Sequence, residues 1–164
     1  MNPFDQAWEL VKMPLVRDSI EQLGEVWPGQ TLPRYSATFR DREGKEYPID
    51  AGENQTYNIN MYDPDTNKRV AYGNFRPWDR IHASDVGIDD SENRRKGMMT
   101  AIYDLMNEIA RTQGKRLTSD AGNLSGSSAP FWANALGLPY ESHTEFQNKY
   151  RGQGFEWPEE GVYE

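Results

Sequence analysis

Ile81-His82-Ala83-Ser84-Asp85-Val86-Gly87-Ile88 is followed by Asp89-Asp90-Ser91-Glu92-Asn93, then by Arg94-Arg95-Lys96-Gly97-Met98-Met99-Thr100-Ala101-Ile102-Tyr103, and the run continues to Gly114. In order, this is a strand, an acidic polar loop and the best helix in the chain. Met98, Ile102, Leu105, Met106 and Ile109 make an apolar stripe at helical spacing, and Gly114 stands where a left-handed C-terminal cap is expected. Leu117–Ser119 then reads as a short strand, Asp120–Ser128 as a Gly/Ser loop and Pro130–Leu136 as a short helix. A helix crossing over between two strands places the segment in a layered α+β protein.

Upstream, strands dominate. Tyr35–Arg40 alternates, Asp41-Arg42-Glu43-Gly44 supplies a turn, and Glu46–Ile49 follows. Thr56–Tyr62 has the cleanest period of two: Tyr57, Ile59 and Met61 share one face, Asn58, Asn60 and Tyr62 the other. Asp63-Pro64-Asp65-Thr66-Asn67 carries turn chemistry, and Arg69–Phe75 returns as the hairpin partner. Before the strands, Phe4, Trp8 and Val11 are spaced as in a helix, and Val16, Ile20 and Leu23 as in a second, with Gly24 as its stop. The expected organisation is a single domain over 1–164. It has a helical N-terminal part (1–34), a core (35–140) built on a mixed, mostly antiparallel and splayed sheet with helices on both faces, and a polar, aromatic tail (141–164). The acidic ending at Glu159, Glu160 and Glu164 reads as solvated.

The 164 residues suit one core. Hydrophobic content is only 36%, but five Trp and nine Tyr supply large buriable rings that a disordered chain would lack. Trp8, Trp27, Trp78 and Trp132 read as core and edge packing. A net charge of -8 argues against nucleic acid as a partner, because phosphate binding needs a basic surface. The absence of Cys rules out disulfides, thiolate metal sites and Cys nucleophiles, and two His are too few for a His-rich metal site, so no metal is expected. No apolar run approaches the roughly 20 residues of a membrane span, and the N-terminus lacks a leader pattern. The expectation is a soluble, cytoplasmic protein without a membrane partner, with homodimerisation left open.

Arg94–Met99 carries the chemistry. Free N–H groups at a helix start, the positive end of its dipole, a glycine that admits close approach and three adjacent cations together hold a phosphate group. A solvated basic helix start is the plain alternative. The run resembles the pyrophosphate-binding loop of the GNAT superfamily of N-acyltransferases, [QR]-x-x-G-x-[GA], with Thr100-Ala101-Ile102-Tyr103 similar to the start of that family's next helix. Leu124-Ser125-Gly126-Ser127-Ser128-Ala129-Pro130-Phe131-Trp132 is similar to a segment of acetyltransferase-like domains of phage proteins. The resemblance covers roughly residues 56–137.

That resemblance implies that the backbone of Arg95, Lys96, Gly97, Met98 and Met99 cradles the pyrophosphate of acetyl-CoA, with Arg94 and Lys96 adding charge. The pantetheine arm then lies along Val86-Gly87-Ile88, which splays from Leu117–Ser119 to open a V-shaped cleft. Asn123 and Ser125 line the far wall and Phe131 packs on the cofactor. Two positions depart from the family: Met99 replaces Gly or Ala, and Phe131-Trp132 stands where a Tyr often protonates the leaving thiolate.

Acyl transfer to an amine requires a base, a donor to the thioester oxygen and an acid for sulfur. Asp85 is the first candidate base, through partial burial on the cleft strand; a plain surface Asp is the alternative. Period-two alternation puts His82 on the opposite face to Asp85, as base or as hydrogen-bonded strand His. Tyr103 reads as a core-edge ring. Ser125 stands in for the missing acid or caps its helix, and Tyr140 follows the last helix within reach of the cleft. The expected activity is direct transfer of an acetyl group, in a ternary complex, to an unidentified primary amine: a protein Lys, an N-terminus or a small amine. Against it stands a catalytically silent fold serving as a phage accessory or host-factor-binding protein, in a host cytoplasm. A nucleotide-binding P-loop lacks its Lys-Ser/Thr ending here.

Overall fold

Tyr57, Ile59 and Met61 are wholly buried, while their neighbours Asn58, Asn60 and Tyr62 stay partly exposed, so β4 (Thr56–Tyr62) has the two-faced character its alternation predicts. The computed structural model describes residues 15–93, 96–120, 122 and 124–162. Around β4 run β1 (Leu15–Leu23), β2 (Arg34–Arg40), β3 (Glu46–Asn54), β5 (Arg69–Pro77) and β6 (Ile81–Ile88). After a 3-10 turn at Ser91–Asn93 come α1 (Met98–Thr112), β7 (Leu117–Asp120), α2 (Ala129–Leu136), α3 (His143–Lys149) and β8 (Gly154–Glu156). The strands form one eight-stranded sheet in chain order. Every neighbouring pair is antiparallel except β6 and β7, which α1 connects in parallel.

The predicted strands and helices from Tyr35 to Leu136 are present. Gly114 has the left-handed conformation expected of it, φ 65°, and Lys115 N–H closes the end on Ala110 O. Three expectations fail.

Residues 15–23 are a strand, not a helix. Between Val16 and Glu21 β1 advances five positions while β2 advances two, with Ser19 Oγ accepting from the Thr38 N–H. That irregularity suspends the period of two, so the spacing of Ile20 and Leu23 imitates a helix. The helix expected over 4–12 lies outside the described residues.

Nor is the tail a loose appendage. α3 and β8 lie within it, and residues 157–162 fold over α1. Trp157 stacks on Tyr103 with centroids 4.7 Å apart, and its Nε1–H donates to the buried carboxylate of Asp104, which also accepts from the Val162 N–H. Asn107 donates to Glu159 O. The Glu159 and Glu160 side chains are exposed, as expected. Because the sheet covers one side of α1 and this segment another, Asp104 and Asn107 are buried beside the apolar stripe.

Finally, helices are expected on both faces, but the described ones lie on one. Trp132 of α2 contacts Tyr103 of α1, Trp157 and Phe155, and Phe146 of α3 contacts Phe155. The outer face of β2–β5 carries Ser36, Asp50, Asn60 and Asn74, polar residues that gain nothing from a helix cover. Trp27 and Trp78, expected to pack, are 70% and 54% exposed. No helix among the described residues is long and apolar enough to cross a membrane.

Gly73 fixes how closely α1 approaches the sheet. A Cβ there would stand 2.7 Å from both Ile102 Cγ2 and Phe75 Cε2. Gly73→Ala gains about 0.4–1 kcal/mol from the unfolded chain, but overpacking against a stiff β-branched side chain costs about 1–3 kcal/mol. We expect a lower urea midpoint at unchanged m-value; a higher midpoint would show that α1 can retreat.

Candidate functional site

β6 and β7 touch at only two positions, Ile81 with Leu117 and His82 with Thr118. Ile81 N–H donates to Arg116 O and Thr118 Oγ1 donates to Ile81 O, so the contact is firm at its closed end. Beyond it the strands separate.

The separation coincides with a β-bulge. Phe75 pairs with Ala83 but Asn74 with Asp85, so Ser84 is an extra residue in β6. The bulge resets the alternation: Ala83 is buried, Ser84 and Asp85 are both exposed, and Val86 is buried again. His82 and Asp85 consequently share the outer face, opposite Arg76 and Asn74, rather than lying on opposite faces as uninterrupted alternation predicts. Asp89 N–H donates to Val70 O, toward β5. By antiparallel alternation the main-chain groups of Val86 and Ile88 point away from β5, into the gap.

A pocket of about 60 Å³ occupies the divergence. Ser84, Asp85 and Val86 form one wall, Ser119, Leu124, Ser128 and, as expected, Ser125 the other, and Tyr103 contributes from α1. Ser119 is 3% exposed, and its Oγ has no hydrogen-bond partner among the described residues. A buried hydroxyl left unpaired costs about 1–3 kcal/mol. Tyr103, 1% exposed, is boxed in by Phe75, Trp132 and Trp157. Burial pushes its hydroxyl pKa well above the usual Tyr value, the adjacent Trp132 indole opposes this, and the charge of Asp85 reinforces it. It is therefore a neutral donor at any physiological pH. The Trp132 Nε1–H, although beside that hydroxyl, makes no hydrogen bond of ordinary geometry among the described residues.

The predicted site residues divide. Asp85 reaches the pocket but is exposed, so the expected partial burial is absent; its carboxylate instead lies against the Tyr72 hydroxyl, whose pKa is raised by burial first and by Asp85 second. Gly87 makes room for that Tyr72 ring, since a Cβ would stand 2.9 Å from its hydroxyl. Val86 and Ile88 lie along the gap.

Ser125 caps the turn into α2. Its N–H donates to Ser128 Oγ and its Oγ accepts from Ser128 N–H, a reciprocal arrangement that occupies the hydroxyl. Tyr140 packs on Phe146 in an aromatic group behind α3 and does not line the pocket. Phe131 is half-buried against the core, likewise outside the pocket lining.

At the helix start, Gly97 adopts φ 89°, the left-handed region that favours glycine, and α1 has no side-chain cap. Lys96 donates to Asn93 Oδ1 and lies 6.0 Å from the Tyr47 ring centroid, drawn partly away from the helix axis. Met98 and Met99 are buried, so Met99 fills the core rather than crowding the loop. Arg94, Arg95 and Asn123 lie outside the described residues.

Sequence reasoning missed Ser119. In Leu117–Asp120 it occupies an inward position with Leu117, and a polar residue on the core face of a strand is the local conflict that marks functional sites. Among the described residues no group of three or more His, Asp or Glu is arranged to hold a metal ion. No protein-family model, curated protein or solved structure matches the chain.

Proposed function

We propose that the chain is an acyl-CoA-dependent N-acyltransferase of GNAT-like fold that transfers an acetyl group to a primary amine. The observation that carries this reading is the open edge of β6 beside an acyl-sized pocket into which Ser119 presents an unpartnered hydroxyl. An edge of free main-chain groups suits the amides of a pantetheine arm, which can add to it as a strand does. Ser119 and Tyr103 offer neutral donors for a carbonyl oxygen. Arg94, Arg95 and Lys96, with the N-terminus of α1, form the charge complement of a pyrophosphate.

Acetyl-CoA, when bound, supplies an acyl carbon activated by its thioester. Ser119 Oγ–H and Tyr103 Oη–H stabilise the negative charge that builds on the carbonyl oxygen, without reorganising at the moment of reaction. Asp85, facing solvent at the pocket rim, accepts the amine's proton through water. A thiol with an ordinary pKa of about 8.5 departs as its anion without a strong acid, so the lack of a Tyr at Phe131-Trp132 does not forbid the reaction. At about 10–15 Å³ of such space per water, the pocket of about 60 Å³ has room for an acetyl group.

The silent-fold reading draws on the capped Ser125 and the distant Tyr140. Titration with acetyl-CoA separates the two. We expect micromolar binding, at least tenfold weaker in Arg94→Glu/Arg95→Glu. Those positions are preferred to Gly97, where φ 89° would strain any replacement. Absence of binding at millimolar ligand would sink the enzyme reading and favour a protein partner.

A further inference from the structure

The outer face of the sheet holds a second, larger concavity. A trough of about 540 Å³ runs from Trp27 across β2–β5 to Asn74, within the usual range for a small-molecule site. Its floor is polar and in register: Asp50 is opposite Asn60, Asn58 opposite Asn74, and Asn74 opposite Asp85. Some of these groups are committed elsewhere. Asn58 donates to Asn54 O and Thr56 O, and Arg69 makes a two-point contact with Asp89. The Asn60 and Asn74 amides make no side-chain hydrogen bond to any described residue. Each amide offers a donor and an acceptor side by side.

The loop bearing Trp27 is fastened. Glu53 Oε1 accepts from the Thr31 and Leu32 N–H groups, Gln113 donates to Thr31 O, and Leu32 is buried. The indole, 70% exposed, thus stands on a fastened loop at the mouth of the trough, where its flat apolar face is open to a stacked ring.

Asp85 links the trough to the pocket in register: it lines the pocket, and it pairs across β5 and β6 with Asn74, which lines the end of the trough. At about 4.8 Å between strands, β3 to β6 is three spacings, about 14 Å, the reach of a short chain of sugar rings.

We propose that this trough is the acceptor site and takes a short glycan ending in an amino sugar. Ring C–H faces stack on Trp27, adjacent hydroxyls pair with the Asn60 and Asn74 amides, and the terminal amine rests beside Asp85. Hydroxyl pairs fit the amides because each can both give and receive, as a second amide can; a bare polyamine's ammonium groups pair only with the amide oxygens and leave the amide N–H groups without an acceptor. Acidic Asp50 and Asp85 attract the ammonium, which releases one proton to water to become the free amine, and Asp85 takes a second proton as the nitrogen bonds the acyl carbon. The C–S bond of the acyl thioester breaks with its electron pair on sulfur. The assignment rests on the acyltransferase reading.

The test is calorimetric titration of the full chain with a β-1,4-linked glucosamine trimer, in parallel with acetyl-CoA, for wild type, Trp27→Ala and Asn60→Leu/Asn74→Leu. These are surface changes, and circular dichroism checks the fold. We expect saturable trimer binding, weakened about tenfold in each variant, with acetyl-CoA binding unchanged. Acetyl-CoA binding without trimer binding overturns the proposal and leaves the acyltransferase reading standing, as does acetylation of a lysine peptide with the same KM in wild type and Asn60→Leu/Asn74→Leu. Trimer binding without acetyl-CoA binding overturns the acceptor assignment together with the acyltransferase reading.

Discussion

Trp157→Ala is expected to cost about 3–5 kcal/mol from the cavity alone, with a further 1–3 kcal/mol or so for hydrogen-bonding groups left unpaired. A domain of this size holds about 5–15 kcal/mol in total, so the variant should be unfolded or nearly so at room temperature. The residue is wholly buried, stacked on Tyr103 and edge-on to Trp132. Its Nε1–H supplies the buried Asp104 carboxylate with one of its donors. The milder pair Trp157→Phe and Trp132→Phe separates packing from hydrogen bonding. Both indoles are wholly buried, but the Trp132 Nε1–H makes no hydrogen bond of ordinary geometry among the described residues, so its loss should be cheaper by about 1–3 kcal/mol. Urea melts of the two variants measure the difference. Equal losses would mean that the Asp104 bond contributes nothing beyond the ring contacts.

Why the importance of Trp157 is invisible in the sequence follows from what buries it. Local pattern reports the face an element turns to its own sheet or helix. β4 and the stripe of α1 were legible because burial repeats along them with a fixed period. Phe155 sits in a strand of three residues, too short for a period, and Trp157 lies just beyond it; Trp132 packs on both and Tyr103 on Trp157, from distant parts of the chain. β1 misled for a related reason: its extra residues opposite β2 break the alternation that identifies a strand.

The site divides along the same line. The strand–loop–helix order follows from the sequence. The Ser84 bulge does not, because alternation alone cannot say which residue is skipped, and with it goes the side of the sheet on which His82 and Asp85 meet. Ser125 looked like a hydroxyl available for chemistry because its partner, Ser128, is equally consistent with a loop or a cap. The polar outer face was legible as Asn58 and Asn60 on one side of β4; that it stays uncovered depends on where three helices pack, which no strand encodes by itself.

Ser119→Ala should lower kcat for acetyl transfer by about 10²-fold, in the range for removing one preorganised donor from an oxyanion site, while KM for acetyl-CoA changes little. Stability should hold or rise slightly. The hydroxyl is buried without a hydrogen-bond partner among the described residues, so deleting it removes a desolvated group and leaves only a small void. This combination is diagnostic because a structural serine behaves in the opposite way, losing stability and keeping turnover. Tyr103→Phe cannot make the same distinction, since that ring is enclosed by Phe75, Trp132 and Trp157 and any change there also perturbs the core. Ser119→Thr, which restores a hydroxyl at the cost of a methyl in a tight pocket, should recover part of the rate. If Ser119→Ala instead turns over at the wild-type rate, the donor falls to Tyr103 alone, and the unpaired hydroxyl has no catalytic reason to be where it is.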